Sequence, residues 1–151
     1  MANFMGSFSH AVDHKGRVNV PTKFRNDIPT DTDDALVVTR GLDGCLFAYP
    51  LDEWKKVEDR LRSLPITKQK TRQFIRMMTS QATSMRMDKQ GRITLPKSLL
   101  DLAKIEMEIL IVGTLDHFEL WCPEEFERCL NDTDQTYEEV AESIFDNDLA
   151  V

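Results

Sequence analysis

Two short segments alternate apolar and polar residues with a period of two, Arg17-Val18-Asn19-Val20 and Arg92-Ile93-Thr94-Leu95. That period sends successive side chains to opposite faces and predicts half-buried β-strands. Each segment is preceded by Asp-x-x-Gly and followed by Pro. An Asp side chain accepts hydrogen bonds from backbone N–H groups two residues on, and Gly supplies a positive φ at little cost. Both segments therefore read as the outgoing arm of a tight turn. Pro21 and Pro96 suit the first position of a short helix, where a missing N–H costs nothing, and helices are expected over 22–25 and 97–103. Further strands are expected at Val37-Val38-Thr39-Arg40 and Ile109-Leu110-Ile111-Val112, then at Leu46-Phe47-Ala48-Tyr49 and Phe118-Glu119-Leu120-Trp121.

These elements come in the same order twice. The phrase from Asp13 to Pro21 is answered 75 residues later from Asp88 to Pro96, and the later blocks match at an offset of 72. Each half predicts strand, tight turn, strand, short helix, strand, strand, helix. A twofold repeat of this size is a pseudo-dimer rather than a solenoid, which needs at least three units. Roughly 70 residues rarely bury a core worth more than about 3–5 kcal/mol. Fusion of the halves through interleaved strands into one compact unit is the economical solution. The expected divisions are a first repeat with its trailing helix over 1–66, a connecting basic helix over 67–81, a second repeat over 82–130 and an acidic tail with a helix over 131–151.

Helical periodicity marks the connecting stretches. Trp54, Val57, Leu61 and Leu64 form one apolar stripe before Pro65; Phe74, Ile75 and Met78 are the expected buried positions of the next helix. Lys55, Lys56, Arg60, Arg62, Lys68, Lys70, Arg72 and Arg76 populate the other faces, as a solvated surface or as a contact with another subunit or nucleic acid. Tyr137, Val140, Ala141, Ile144 and Phe145 give a final amphipathic helix with Glu138, Glu139 and Glu142 on its polar side.

Charge changes the picture. The net charge of −7 disfavours a nucleic-acid partner at first sight, but its distribution reverses that. From Asp116 onward there are twelve acidic residues against Arg128 alone; from Lys68 to Lys104 there are nine Lys or Arg against Asp88 and Asp101. No apolar run approaches membrane-spanning length and the N-terminus does not resemble a signal peptide, so a cytoplasmic protein is expected. Cys45, Cys122 and Cys129 form no Cys-x-x-Cys pair and are expected to be reduced; His10 and His14 flank Asp13 without a metal-binding spacing. No metal or cofactor is expected. Phosphate-binding and dinucleotide fingerprints are missing, and Asp13 and Asp88 sit beside Lys and Arg, which keeps both ionised and argues against acid–base catalysis. No enzyme is expected.

The basic turns are the sharpest candidates. Arg17 and Arg92 occupy equivalent positions, with Lys15 and Lys89 beside them and Arg25, Lys23, Arg86 and Lys97 available to extend the patch. A protruding turn carrying Arg and Lys can reach phosphates, and Arg can also read guanine in the major groove. Alternatively each Arg pairs with the Asp four residues earlier and only staples its turn. Paired turns favour a repeating partner such as duplex DNA. Few aromatic residues accompany them, which disfavours single-stranded RNA.

The paired Asp-x-x-Gly-Arg turns, with Val-Pro-Thr-Lys-Phe-Arg after the first and Leu-Pro-Lys after the second, resemble the MraZ transcriptional regulators. So do Tyr49-Pro50-Leu51-Asp52-Glu53-Trp54 and Phe118-Glu119-Leu120-Trp121; the likeness runs from about Phe8 to Phe126. It implies an α+β, mainly β fold of two fused AbrB/SpoVT-like swapped-hairpin barrel halves, with connecting and C-terminal helices. It implies a ring-shaped homo-oligomer of about eight subunits, associated with the nucleoid. That ring would bind tandem direct repeats in double-stranded DNA upstream of the bacterial division and cell-wall gene cluster, with no small-molecule substrate and no membrane. The family's DNA-facing role carries to Lys15, Arg17, Lys89 and Arg92, with Arg25 and Arg86 as further contacts, and its turn-shaping signature to Asp13, Gly16, Asp88 and Gly91. Gln90 stands where the first turn has Lys15, so the two turns are chemically unequal. An antitoxin-like interaction module and an RNA-binding regulator are the alternatives.

Overall fold

A computed structural model describes residues 2–30 and 34–145; the end of the acidic tail, 146–151, lies outside the described residues. The first half runs β1 (Ser7–Ala11), β2 (Arg17–Asn19), α1 (Thr22–Arg25), β3 (Ala35–Arg40), β4 (Leu46–Pro50) and α2 (Leu51–Arg62). After α3 (Gln69–Thr79) the second half repeats it as β5 (Thr83–Arg86), β6 (Arg92–Thr94), α4 (Lys97–Leu102), β7 (Glu108–Gly113), β8 (Phe118–Trp121) and α5 (Pro123–Asn131), and α6 (Tyr137–Phe145) follows. The expected order of elements holds in both halves. Pro21 and Pro96 stand one position earlier than expected, as helix N-caps with φ of −52° and −60°, and Pro50 caps α2 in the same way with φ of −58°. Their fixed φ still starts each helix without leaving an N–H unpaired.

The halves interleave. The six-stranded sheet has the order β1-β7-β8-β4-β3-β5, and β2 pairs with β6 in a separate two-stranded sheet. Exchanging every strand for its counterpart gives the same order in reverse, so a pseudo-twofold axis passes between β4 and β8. The first strand of each half pairs with the other half: Phe8 lies opposite Ile111, and Met85 opposite Leu36. All ladders are antiparallel. These are the exchanged hairpins expected of duplicated AbrB-like halves. Among the described residues no ladder joins β1 to β5, so the large sheet stays open and the β2–β6 ribbon packs over it instead of completing a barrel.

Why the ribbon sits there is a matter of burial. Val18, Val20, Ile93 and Leu95 turn inward into the same cluster as Leu36, Val38, Leu46, Ile109, Ile111 and Leu120. At its centre Phe4, Phe24 and Phe118 meet with ring centroids 5.1–5.3 Å apart, a spacing at which edge-on and tilted rings attract. A second cluster on the opposite sheet face joins Val37, Tyr49, Trp54 and Met78 beneath α2 and α3. Covered on both faces, β3 is buried over five of its six residues, which explains its unbroken apolar run.

The stripe expected on α3 is only partly buried. Met78 is the one buried residue of that helix, whereas Phe74 remains 41% exposed and Ile75 half-buried. Leu64, expected to end the α2 stripe, is also exposed. α3 is tied to the sheet at its last turn, where the Thr39 hydroxyl donates to the Met78 carbonyl at 2.5 Å. One turn earlier, Phe74 is left exposed.

Candidate nucleic-acid interface

Both Asp-x-x-Gly-Arg turns are built the same way. Asp13 Oδ1 accepts the backbone N–H groups of Lys15 (2.9 Å) and Arg17 (2.8 Å), while Oδ2 accepts Nε of Arg17 at 2.6 Å. Asp88 repeats this with Gln90 (2.9 Å), Arg92 (2.9 Å) and Arg92 Nε (2.8 Å). Gly16 and Gly91 close the turns by donating to the Asp carbonyls, with φ of +81° and +76° that only Gly adopts freely. The Arg17 backbone N–H, then its guanidinium and the Lys15 N–H, holds the Asp13 carboxyl down to about 2 against partial desolvation. Asp88 is lowered for the same reasons. Both are ionised at neutral pH, and neither can act as a general acid there.

Each arginine thus staples its own turn, as one of the two readings held. Stapling and presentation coexist, however. The staple uses Nε, and among the described residues the terminal guanidinium nitrogens of Arg17 and Arg92 have no hydrogen-bond partner. Their side chains remain 30% and 27% exposed. A charge-assisted bond at Nε fixes the plane of the guanidinium and leaves its outer edge free for an acceptor.

The fold brings the two turns into one unit. Arg17 lies opposite Thr94 and Asn19 opposite Arg92 in the β2–β6 ribbon. Since Val18 and Ile93 point into the core, Arg17, Asn19, Arg92 and Thr94 share the outer face. Diagonal cross-strand neighbours such as Arg17 and Arg92 are roughly 7–8 Å apart, with their Cβ atoms somewhat closer. The turns are also locked together across the repeats: Val20 N–H donates to Gly91 O and Leu95 N–H to Gly16 O, both at 2.9 Å. Asn19 and Thr94 were not singled out from the sequence. Their signal was present, because they alternate with the same buried residues as the two arginines.

The remaining candidates fall around this ribbon. Lys15 and Lys89 are exposed at the turns, and Arg86 is exposed on β5 opposite Ala35. Arg25 reaches across to the second turn, its Nε donating to Val20 O at 2.8 Å and its guanidinium lying over Gly91. Lys97 is engaged by Asp101 at 3.1 Å. Among the described residues no three His, Cys, Asp or Glu side chains gather as metal ligands, and the cysteines are free. No described helix is long and apolar enough to cross a membrane.

The comparison with known proteins agrees with the twofold repeat. The family described as "MraZ protein, putative antitoxin-like" matches the chain twice, over residues 3–77 and 78–148. A protein named transcriptional regulator MraZ from Natranaerobius thermophilus is 42% identical over 97% of this chain and 99% of its own length. One of the same name from Ligilactobacillus salivarius is 42% identical over the same shares. Another, from Pediococcus pentosaceus, is 43% identical over 95% of this chain and 97% of its own.

Proposed function

The chain belongs to the MraZ family, and from that premise we propose that it is a transcriptional regulator that binds duplex DNA sequence-specifically through the β2–β6 ribbon and its two turns. The observation that carries this reading is the shared outer face of Arg17, Asn19, Arg92 and Thr94, flanked by Lys15 and Lys89. A two-stranded antiparallel ribbon fits the major groove, where stapled guanidinium groups meet guanine acceptors and the turn lysines meet phosphates. The protein works without catalysis, metal or cofactor, in the cytoplasm and at the nucleoid. Its targets are tandem repeats in the promoter of a division and cell-wall gene cluster.

A single ribbon makes few contacts, so copies in register on tandem repeats multiply affinity through effective concentration. A ring of about eight subunits formed by one heterologous interface supplies such copies. Leu64, Ile66, Phe74 and Met77, left exposed around α2 and α3, and the apolar side of α6, where Tyr137, Ile144 and Phe145 are exposed, are its contact surfaces. Carboxylates on α6 and the basic faces of α2 and α3 complement one another.

The double variant Arg17→Ala plus Arg92→Ala tests the reading. It should lose specific DNA binding while circular dichroism and sedimentation remain as in the parent protein, because the Asp-to-backbone bonds still hold the turns. Unfolding or dissociation of the double variant would instead assign the arginines a purely structural role. Stoichiometric capture of a protein partner, without DNA binding by the parent, would support the antitoxin-like alternative.

A further inference from the structure

The two turns are equal in backbone and unequal in surroundings. At the offset of 75 residues, Arg25 of α1 corresponds to Leu100 of α4. Arg25 is clamped onto the turn of the other repeat: its Nε bonds the Val20 carbonyl at 2.8 Å, and the Val20 N–H bonds the Gly91 carbonyl at 2.9 Å. A Cβ built on Gly91 would fall on Arg25 Cζ and Nε, so the guanidinium covers the glycine that precedes Arg92. Among the described residues its hydrogen-bond partner is a carbonyl, and no carboxylate is paired with it.

Around the first turn the same place is apolar. Leu100 Cδ1 lies 3.6 Å from a Cβ built on Gly16. The depression beside that turn contains Asp101 and Glu106 along with Lys15 and Lys97, and Asp101 already holds Lys97. A phosphate approaching the first turn meets Asp101 and Glu106 as well as Lys15 and Lys97, and one approaching the second meets Arg25.

We propose that Arg25 and the turn from Asp88 to Arg92 form the dominant DNA-contacting half of each chain, a phosphate clamp assembled from both repeats, with the first turn contributing less. This rests on the reading of the ribbon as a DNA interface and adds a polarity to it. A protein whose two halves contact DNA equally matches a palindromic site. Unequal halves fix the direction in which each chain lies on its site.

The test is a duplex titration over about 50 to 200 mM salt with the sequence upstream of the protein's own gene, thermal melts checking the fold of every variant. Arg25→Leu installs the residue that the second repeat carries at the equivalent position, Leu100, and Arg25→Lys keeps the charge. Arg25→Leu should make the dependence of log affinity on log salt shallower by about 0.9 for each engaged subunit, the value of one released counterion. Arg25→Lys should restore most of it. Arg92→Ala should weaken binding about tenfold more than Arg17→Ala, the equivalent of about 1.4 kcal/mol. An unchanged slope for Arg25→Leu, with equal losses from Arg17→Ala and Arg92→Ala, would overturn the clamp and leave the ribbon as the interface. Absence of binding by the parent protein would overturn the DNA reading itself, and the clamp with it.

Discussion

Asp13 closes its turn by accepting two backbone N–H groups and a guanidinium, and Asp88 does the same in the second repeat. Those bonds favour the ionised carboxylate and depress its pKa, to about 2 for Asp13. An Asp in an unfolded chain titrates near 3.9. The folded value is the lower one, so what the Asp13 turn contributes is fully present above about pH 4 and is lost as pH falls toward 2. The Asp13 carboxyl and Arg17 amide signals in NMR should titrate together with a midpoint near 2; a midpoint close to 4 would mean that the turn bonds are not held in solution. The roles of Asp13, Gly16, Asp88 and Gly91 were legible in the sequence because a turn is a local object whose donors and acceptors lie within five residues. Arg25 was legible only as a nearby cation. Its contact with Gly91 joins residues 66 positions apart, and the hint was the Arg25 to Leu100 mismatch between repeats.

At the scale of elements, periodicity located strands and helices well, since each half-buried strand writes its alternation directly into the chain. It succeeded less on α3, because a helical stripe reports which side is apolar and not how far the helix stays on the sheet. Phe74 and Met77 carry a stripe that this chain does not cover. α1 presents the opposite case, with only four residues and no propensity to stand alone. It is fixed by Phe24, which is fully buried and whose ring meets Phe4, Phe8 and Phe118. Phe24→Ala should therefore cost about 3–5 kcal/mol in urea denaturation. A cost below about 1 kcal/mol would show that the inner core is not packed as described. Since α1 carries Arg25, the same substitution should loosen the contact over the second turn.

Across the whole molecule, interleaving makes the halves inseparable. β1 has its ladder partner in β7, and β5 has its partner in β3. A fragment of residues 1–77, the extent of the first family match, should be unfolded or self-associated. Mixing it with residues 78–151 should restore native dispersion in amide NMR spectra. A folded, monomeric 1–77 fragment would contradict the exchange of strands. The repeat revealed this architecture at the sequence level, while the open edge of the large sheet did not show there, because closure depends on the distance between β1 and β5 rather than on any residue pattern.

On the proposed reading, this interleaved frame serves to hold one basic ribbon against DNA. The most direct test of that reading is fluorescence anisotropy of the parent protein with duplex DNA from upstream of its own gene, beside a scrambled duplex of equal length and composition, across a salt series. Tighter binding to the native duplex, with a steep loss of affinity as salt rises, is the predicted result. Equal and weak binding to both duplexes would contradict it, reducing the ribbon to a generic positive patch.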